Sequence, residues 1–214
     1  MYTDGAAEET NWIKRSGSAT VTYLDGSTFT GTFDSEKLKQ GLGTYVWMSA
    51  GEGDDSEEKV QKGKYVGNYV DGKKNGRGKC TFPSGDTYDG YWLDNTMDGE
   101  GTYVYKLSGD VYSGSFAKGK KNGQGRYEYG KDESQLVGDW VDGTIVSGKW
   151  ELKGAGVYEG TFKNGKPNGE GSFAFNSGIV QKGKYVATKK EGEEEEENAA
   201  GDIKWDGENV FSTV

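Results

Sequence analysis

A skeleton of glycines and aromatic residues recurs along almost the whole chain, and it is the strongest constraint on the fold. Its cleanest copy runs from Tyr88 to Gly109: Tyr88-x-Gly90-x-Trp92, a polar turn, Gly99-x-Gly101-x-Tyr103-x-Tyr105, and a closing Gly109. The glycine of the first step falls at 31, 67, 90, 114, 138, 160 and 183, so successive copies lie 36, 23, 24, 24, 22 and 23 residues apart. A fixed period of this kind marks a repeat architecture, in which each unit buries its apolar face against its neighbours. The first interval is longer because it contains an acidic insertion, residues 48–59.

Within one copy the apolar residues alternate, and a period of two means strands rather than helices. Each copy holds two such runs around a glycine-bearing turn, which is a β-hairpin. Links such as Pro83-Ser84-Gly85-Asp86 and Leu107-Ser108-Gly109-Asp110 join one hairpin to the next. The expected fold is all-β: an elongated, single-layer antiparallel meander of hairpins, open and twisted. About 14 strands at roughly 4.8 Å spacing extend such a sheet to ~65 Å. A glycine normally weakens a strand. Here each glycine shares the parity of the aromatics, so it leaves a hole into which a ring from the neighbouring strand can lie.

Three segments follow from the pattern. Residues 1–16 form a polar N-terminal segment in which Trp12 is the one candidate to tuck against the first strands. Residues 17–187 form the sheet: an opening half-repeat (Gly17–Gly26), about six hairpins, and a closing half-repeat at Gln181-x-Gly183-x-Tyr185. The fifth hairpin lacks the Gly-x-Gly step, and Gly148-x-Trp150-x-Leu152 is read as its returning strand. Gln61, Gly63, Tyr65, Gly67 and Tyr69 share parity and are read as one lengthened strand. Residues 188–214 form an acidic tail, near whose end Trp205 and Phe211 are placed to pack back.

The formal charge of −9 and the lack of a dominant basic segment argue against general binding of nucleic acid or anionic membranes. A single cysteine, Cys80, fits a reducing compartment. No apolar run resembles a signal peptide or a membrane span. These features lead to the expectation of a soluble, intracellular protein.

The pattern Y-x-G-x-[WF], turn, G-x-G-x-[YF]-x-[YF], repeated over about residues 17–186, resembles the MORN repeat. An acidic chain of such repeats with an acidic insertion and tail is similar to the small radial spoke head MORN proteins of motile cilia. The resemblance implies a structural role in the axoneme of a cilium or flagellum. The implied partners are other spoke head subunits and projections of the central apparatus. The alternative it leaves open is a peripheral membrane or phosphoinositide-binding adaptor, against which the acidity counts.

No catalytic site emerges. The chain has no histidine, which removes histidine-based acid–base or nucleophilic chemistry. Cys80 sits at an aromatic-face position and reads as a small core filler. Asp34, Asp71, Asp94 and Asp142 fall at turns. Each Gly-x-Gly enters a strand rather than a helix, unlike a phosphate-binding loop. No cofactor or metal is implied. Three features can carry interaction instead. The aromatic face, Tyr65, Tyr88, Trp92, Tyr112, Phe116, Trp140, Tyr158 and Phe162, is either internal packing or a groove for a partner segment, with Trp92 and Trp140 as its anchors. The turn lysines Lys73, Lys74, Lys120, Lys121 and Lys166 form either solvated turns or a basic edge for an acidic partner. The acidic stretches Asp54–Glu58 and Glu193–Glu197 are either solvating bristles or a repelling cushion. Open strand edges at Gln181–Val186 and Gly17–Tyr23 would allow self-association.

Overall fold

The computed structural model describes residues 2–3, 16–50, 59–187 and 203–211, with side chains described at 16–50, 59–186 and 205–207. The described residues form strands and turns, without a helix. The chain divides into two units, Met1–Leu107 and Ser108–Val214. The first holds β1 (Tyr2–Thr3), β2 (Gly17–Thr22), β3 (Thr28–Phe33), β4 (Lys39–Ala50), β5 (Lys59–Val70), β6 (Lys73–Thr81), β7 (Thr87–Leu93) and β8 (Thr96–Val104). The second holds β9 (Val111–Ala117), β10 (Lys120–Glu128), β11 (Gln135–Val141), β12 (Thr144–Leu152), β13 (Gly156–Lys163), β14 (Lys166–Phe175), β15 (Ile179–Ala187) and β16 (Ile203–Phe211). In each unit every strand runs antiparallel to its predecessor in an open meander, as the period of two requires.

The register stacks the glycines in a column. In the first unit Ala19, Gly31, Gly43, Gly67, Gly78, Gly90 and Gly101 lie opposite one another in turn. In the second the column runs from Gly114 through Gly125, Gly138, Gly148, Gly160, Gly171 and Gly183 to Gly207. Aromatic rings lie on this column, but not quite as expected. Tyr88 stands two residues before Gly90 on the same strand, and its ring covers both Gly90 and the cross-strand Gly101. Phe29, Tyr65, Tyr112 and Tyr158 do the same over Gly31 and Gly43, Gly67 and Gly78, Gly114 and Gly125, and Gly160 and Gly171. One ring therefore fills both holes of its own hairpin, and a methyl at either glycine would meet it.

The tyrosine hydroxyls explain a second regularity. In four hairpins the register steps past the residue after the first-strand glycine, which is Asn68, Tyr91, Ser115 and Thr161 in turn. Those are the residues whose carbonyls accept the hydroxyls of Tyr65, Tyr88, Tyr112 and Tyr158, at 3.1, 2.9, 3.0 and 2.9 Å. A β-bulge leaves backbone groups outside the ladder, and a buried carbonyl needs a donor. Phe29 and Leu136 have no hydroxyl, and in their hairpins the corresponding residues Thr32 and Asp139 stay paired, with Gln40 and Ser147.

The hairpin turns use two residues at positive φ, such as Asp71-Gly72 (49° and 80°), Asp94-Asn95 (48° and 70°) and Asp142-Gly143 (48° and 93°). This conformation matches the strand twist and suits Asp, Asn and Gly. Each of these turns docks on the hairpin before it: Gly72 N, Asn95 N and Gly143 N donate to the carbonyls of Lys39, Lys74 and Lys121.

The fifth hairpin closes as expected, with Gly138 opposite Gly148 and Leu136 opposite Trp150. Strand β5 is long, but its register skips Lys62, and Gln61 is exposed while Gly63, Tyr65, Gly67 and Tyr69 are buried. The edge expected at Gln181–Val186 is not open, because β16 pairs along β15 from Ile179↔Phe211 to Ala187↔Ile203. At the other end β1 pairs with β2 at Val21 and Thr20 only. Trp12, the middle of the acidic insertion with Asp54–Glu58, and the tail segment with Glu193–Glu197 lie outside the described residues.

Candidate interaction surface

The eight aromatics read as either internal packing or a partner groove are all buried. Tyr65, Tyr88, Tyr112 and Tyr158 are 0% exposed, and Trp92, Trp140, Phe116 and Phe162 reach at most 7%. Packing within the chain consumes them. The first aromatic of a hairpin meets the second edge-on, as in Tyr88–Trp92 (5.2 Å), Tyr112–Phe116 (5.1 Å) and Tyr158–Phe162 (5.2 Å). The second ring also reaches back to the preceding hairpin, as in Tyr65–Trp92 (5.4 Å) and Tyr112–Trp140 (5.3 Å). Each such pair contributes roughly 0.5–1.5 kcal/mol beyond burial. The two tryptophans add a donor: Trp92 Nε1 reaches Gly78 O at 3.0 Å and Trp140 Nε1 reaches Gly125 O at 3.1 Å. They join consecutive hairpins and do not form the floor of an open groove.

The aromatics of the returning strands stay partly accessible on this face: Tyr45, Tyr103, Tyr127 and Phe173 are half-buried. Trp47, Phe82, Tyr105 and Tyr129 are half-buried and Phe175 is exposed. Behind this row, two linking turns are tied by carboxylates. Asp86 accepts from Tyr103 Oη (2.9 Å) and Lys106 N (2.8 Å), and Asp110 accepts from Tyr127 Oη (2.5 Å) and Gly130 N (2.9 Å). Hydrogen bonds from Lys106 N, above all, hold the Asp86 carboxyl below its ordinary range, and those from Tyr127 and Gly130 overcome burial to do the same for Asp110.

The turn lysines differ in their surroundings. Lys73 pairs with Asp94 of the next turn at 3.3 Å, and Lys120 with Asp142 at 3.5 Å. Lys166 is half-buried at the start of β14. Lys74 and Lys121 point the other way, into the aromatic face. Lys74 Nζ lies 4.9, 5.1 and 4.6 Å from the ring centres of Trp47, Tyr65 and Trp92. Lys121 Nζ lies 5.6, 4.5 and 4.6 Å from those of Tyr112, Tyr127 and Trp140. Lys39, which the sequence reading did not single out, is held in the same way by Tyr23, Phe29, Tyr45 and Tyr69 at 4.7–5.8 Å. Burial lowers the pKa of all three ammonium groups. The signal was present in the sequence, since Lys39, Lys74 and Lys121 share the parity of the Gly-x-Gly step that follows them. The same place, opposite the second aromatic of the hairpin, is taken elsewhere by Met97, Ile145 and Pro167.

Cys80 is 1% exposed and lies between Tyr65 and Tyr88 in the register, the filler that its position implies. Burial pushes its thiol pKa up, which disfavours the nucleophilic thiolate. On the opposite face of the first unit, Ser18, Thr20, Thr30, Thr32 and Thr44 line a shallow uncharged hollow above Gly31 and Gly43. Nothing in the repeat pattern had pointed to it.

A family model described as the MORN repeat matches residues 29–49, 65–87, 88–106, 112–132 and 158–180. No curated protein matches the chain. The matched copies are the hairpins whose first-strand aromatic covers the paired glycines, and together they span half of the sequence. The chain is a member of the MORN-repeat family.

Proposed function

We propose that the protein is a non-enzymatic structural and interaction component of a large intracellular assembly, and that this assembly is the radial spoke head of a cilium or flagellum. The observation that carries the structural role is the use made of the signature residues. The rings, glycines, hydroxyls and turn carboxylates of the repeat are spent on one another, so the repeat builds a scaffold. Contact is left to what differs between copies: the turns, the half-buried outer aromatics and the acidic segments. The spoke head reading is supported by the similarity of an acidic MORN-repeat chain to spoke head MORN proteins. In it the sheet acts as a spacer, and its charged margins tune contact with the central apparatus.

The test is to express a tagged copy in a ciliated cell and extract the axonemes with detergent. Retention with the radial spokes is expected; absence from the axoneme overturns the assignment. Sedimentation with phosphoinositide liposomes addresses the adaptor alternative, and robust, salt-sensitive binding there would reverse the order of the two readings.

A further inference from the structure

We infer that the aromatic cages around Lys74 and Lys121 are cation-recognition sites, each occupied by the chain's own lysine and able to exchange it for a cationic side chain of a partner protein.

Three observations carry this. First, the geometry is that of a cation–π site: three rings surround each ammonium within 6 Å of their centres. Second, among the described residues these two ammonium groups have rings around them and no hydrogen bond or ion pair, in contrast to the adjacent Lys73 and Lys120, which pair with Asp94 and Asp142. Burial works against the charge of both groups. Ring attraction, joined at Lys121 by the charge of the Asp110 carboxylate, and lost hydration therefore oppose each other. Third, one wall of each cage is half-open: Trp47 and Tyr127 are half-buried, whereas Tyr65, Trp92, Tyr112 and Trp140 are buried. A flexible lysine can swing out past that wall without any movement of the sheet.

The complementary occupant is cationic. The ring faces are electronegative, and the chain carries a net charge of −9, which draws basic segments toward it. A methylated lysine fits the cage best, because its ammonium is larger and less strongly hydrated than that of the resident lysine. The fold tolerates other occupants at this place, as Met97 and Ile145 show in neighbouring hairpins.

The inference deepens the interaction role proposed above but does not depend on the ciliary assignment. A cage that binds no cation leaves localisation untouched, and absence from the axoneme leaves cage binding untouched. The test uses the full chain and a short peptide carrying one trimethyl-lysine, followed by tryptophan fluorescence and calorimetry. Lys121→Ala is expected to bind the peptide saturably, at least tenfold more tightly than the parent chain, and to lose that gain when Trp140→Leu is added. Lys121→Met, which fills the cage with a neutral chain, is expected not to show the gain. Equal binding by Lys121→Ala and Lys121→Met, or a gain that survives Trp140→Leu, overturns the proposal. Should Lys121→Ala fail to fold, the parent chain decides. With carbon-13 at the lysine ε position, saturating peptide must move a ring-shifted lysine signal to its solvent position, and an unmoved signal overturns it.

Discussion

At the scale of the residue, the controlling relation joins a tyrosine ring to two glycines and its hydroxyl to a bulged carbonyl. The two halves can be separated by mutation. Tyr88→Phe keeps the ring over Gly90 and Gly101 but leaves the Tyr91 carbonyl without its 2.9 Å donor. It should cost about 1 kcal/mol. Gly101→Ala places a methyl against the same ring, whose side chain is fully buried and has nowhere to move. Overpacking of this kind should cost roughly 1–3 kcal/mol. Urea denaturation with an unchanged m-value checks both, and a Gly101→Ala cost below that of Tyr88→Phe would contradict the packing account. The ring-on-glycine relation was legible in the sequence because glycine and aromatic share parity. That the ring comes from the glycine's own strand was not, because parity specifies a face and says nothing of the direction in which a side chain leans along it.

At the scale of the element, hairpins are joined by the second aromatic and by turns that dock backward. Trp140→Phe keeps most of the buried area and removes the bond to Gly125 O, so a loss of about 1 kcal/mol is expected. Lys121→Met should leave stability equal or higher, because the occupant then has no charge to desolvate and Met97 already holds the equivalent place. A melting temperature several degrees lower would show that the ammonium stabilises the cage strongly. At the turn, Asp142 sits at φ 48° and pairs with Lys120 in an exposed position. Asp142→Asn should change stability by less than about 0.5 kcal/mol, since exposed pairs are weak and Asn tolerates this backbone. Asp142→Val should cost more than about 1 kcal/mol, because a β-branched residue resists positive φ. Thermal melts of the two variants separate charge from conformation. The repeated lysine pair of the turns looks uniform as text, yet its members part ways. Alternation sends Lys73 and Lys120 to the next turn's aspartate and Lys74 and Lys121 into the rings.

At the scale of the whole molecule, burying tyrosines in both units makes stability depend on alkaline pH. Burial pushes Tyr88 and Tyr158 up to about 12, from an ordinary value of 10.0. The folded form thus keeps protons that the unfolded chain gives up. Their stabilisation is complete below pH 10 and is lost as pH rises from there toward 12. The caged lysines act in the opposite direction, because their folded pKa is lowered and the unfolded chain binds more protons. The tyrosines are buried more completely, and their effect should prevail. A pH titration following tyrosinate absorbance and circular dichroism together should show a late group of tyrosines ionising with the loss of strand signal. Early ionisation with the sheet intact would place those hydroxyls in water.

The sequence by itself determined the strand period, the hairpin unit, the repeat family and the positions of the turns, because each rests on local spacing: two residues for the pleat, about 23 for the hairpin pair, Asp-Gly for the turn. The tertiary structure alone decided which aromatics remain accessible, where the lysines go, and that β16 completes the last hairpin by pairing with β15. Those outcomes depend on what a neighbouring strand presents at the same register, and spacing along a single strand does not carry that information.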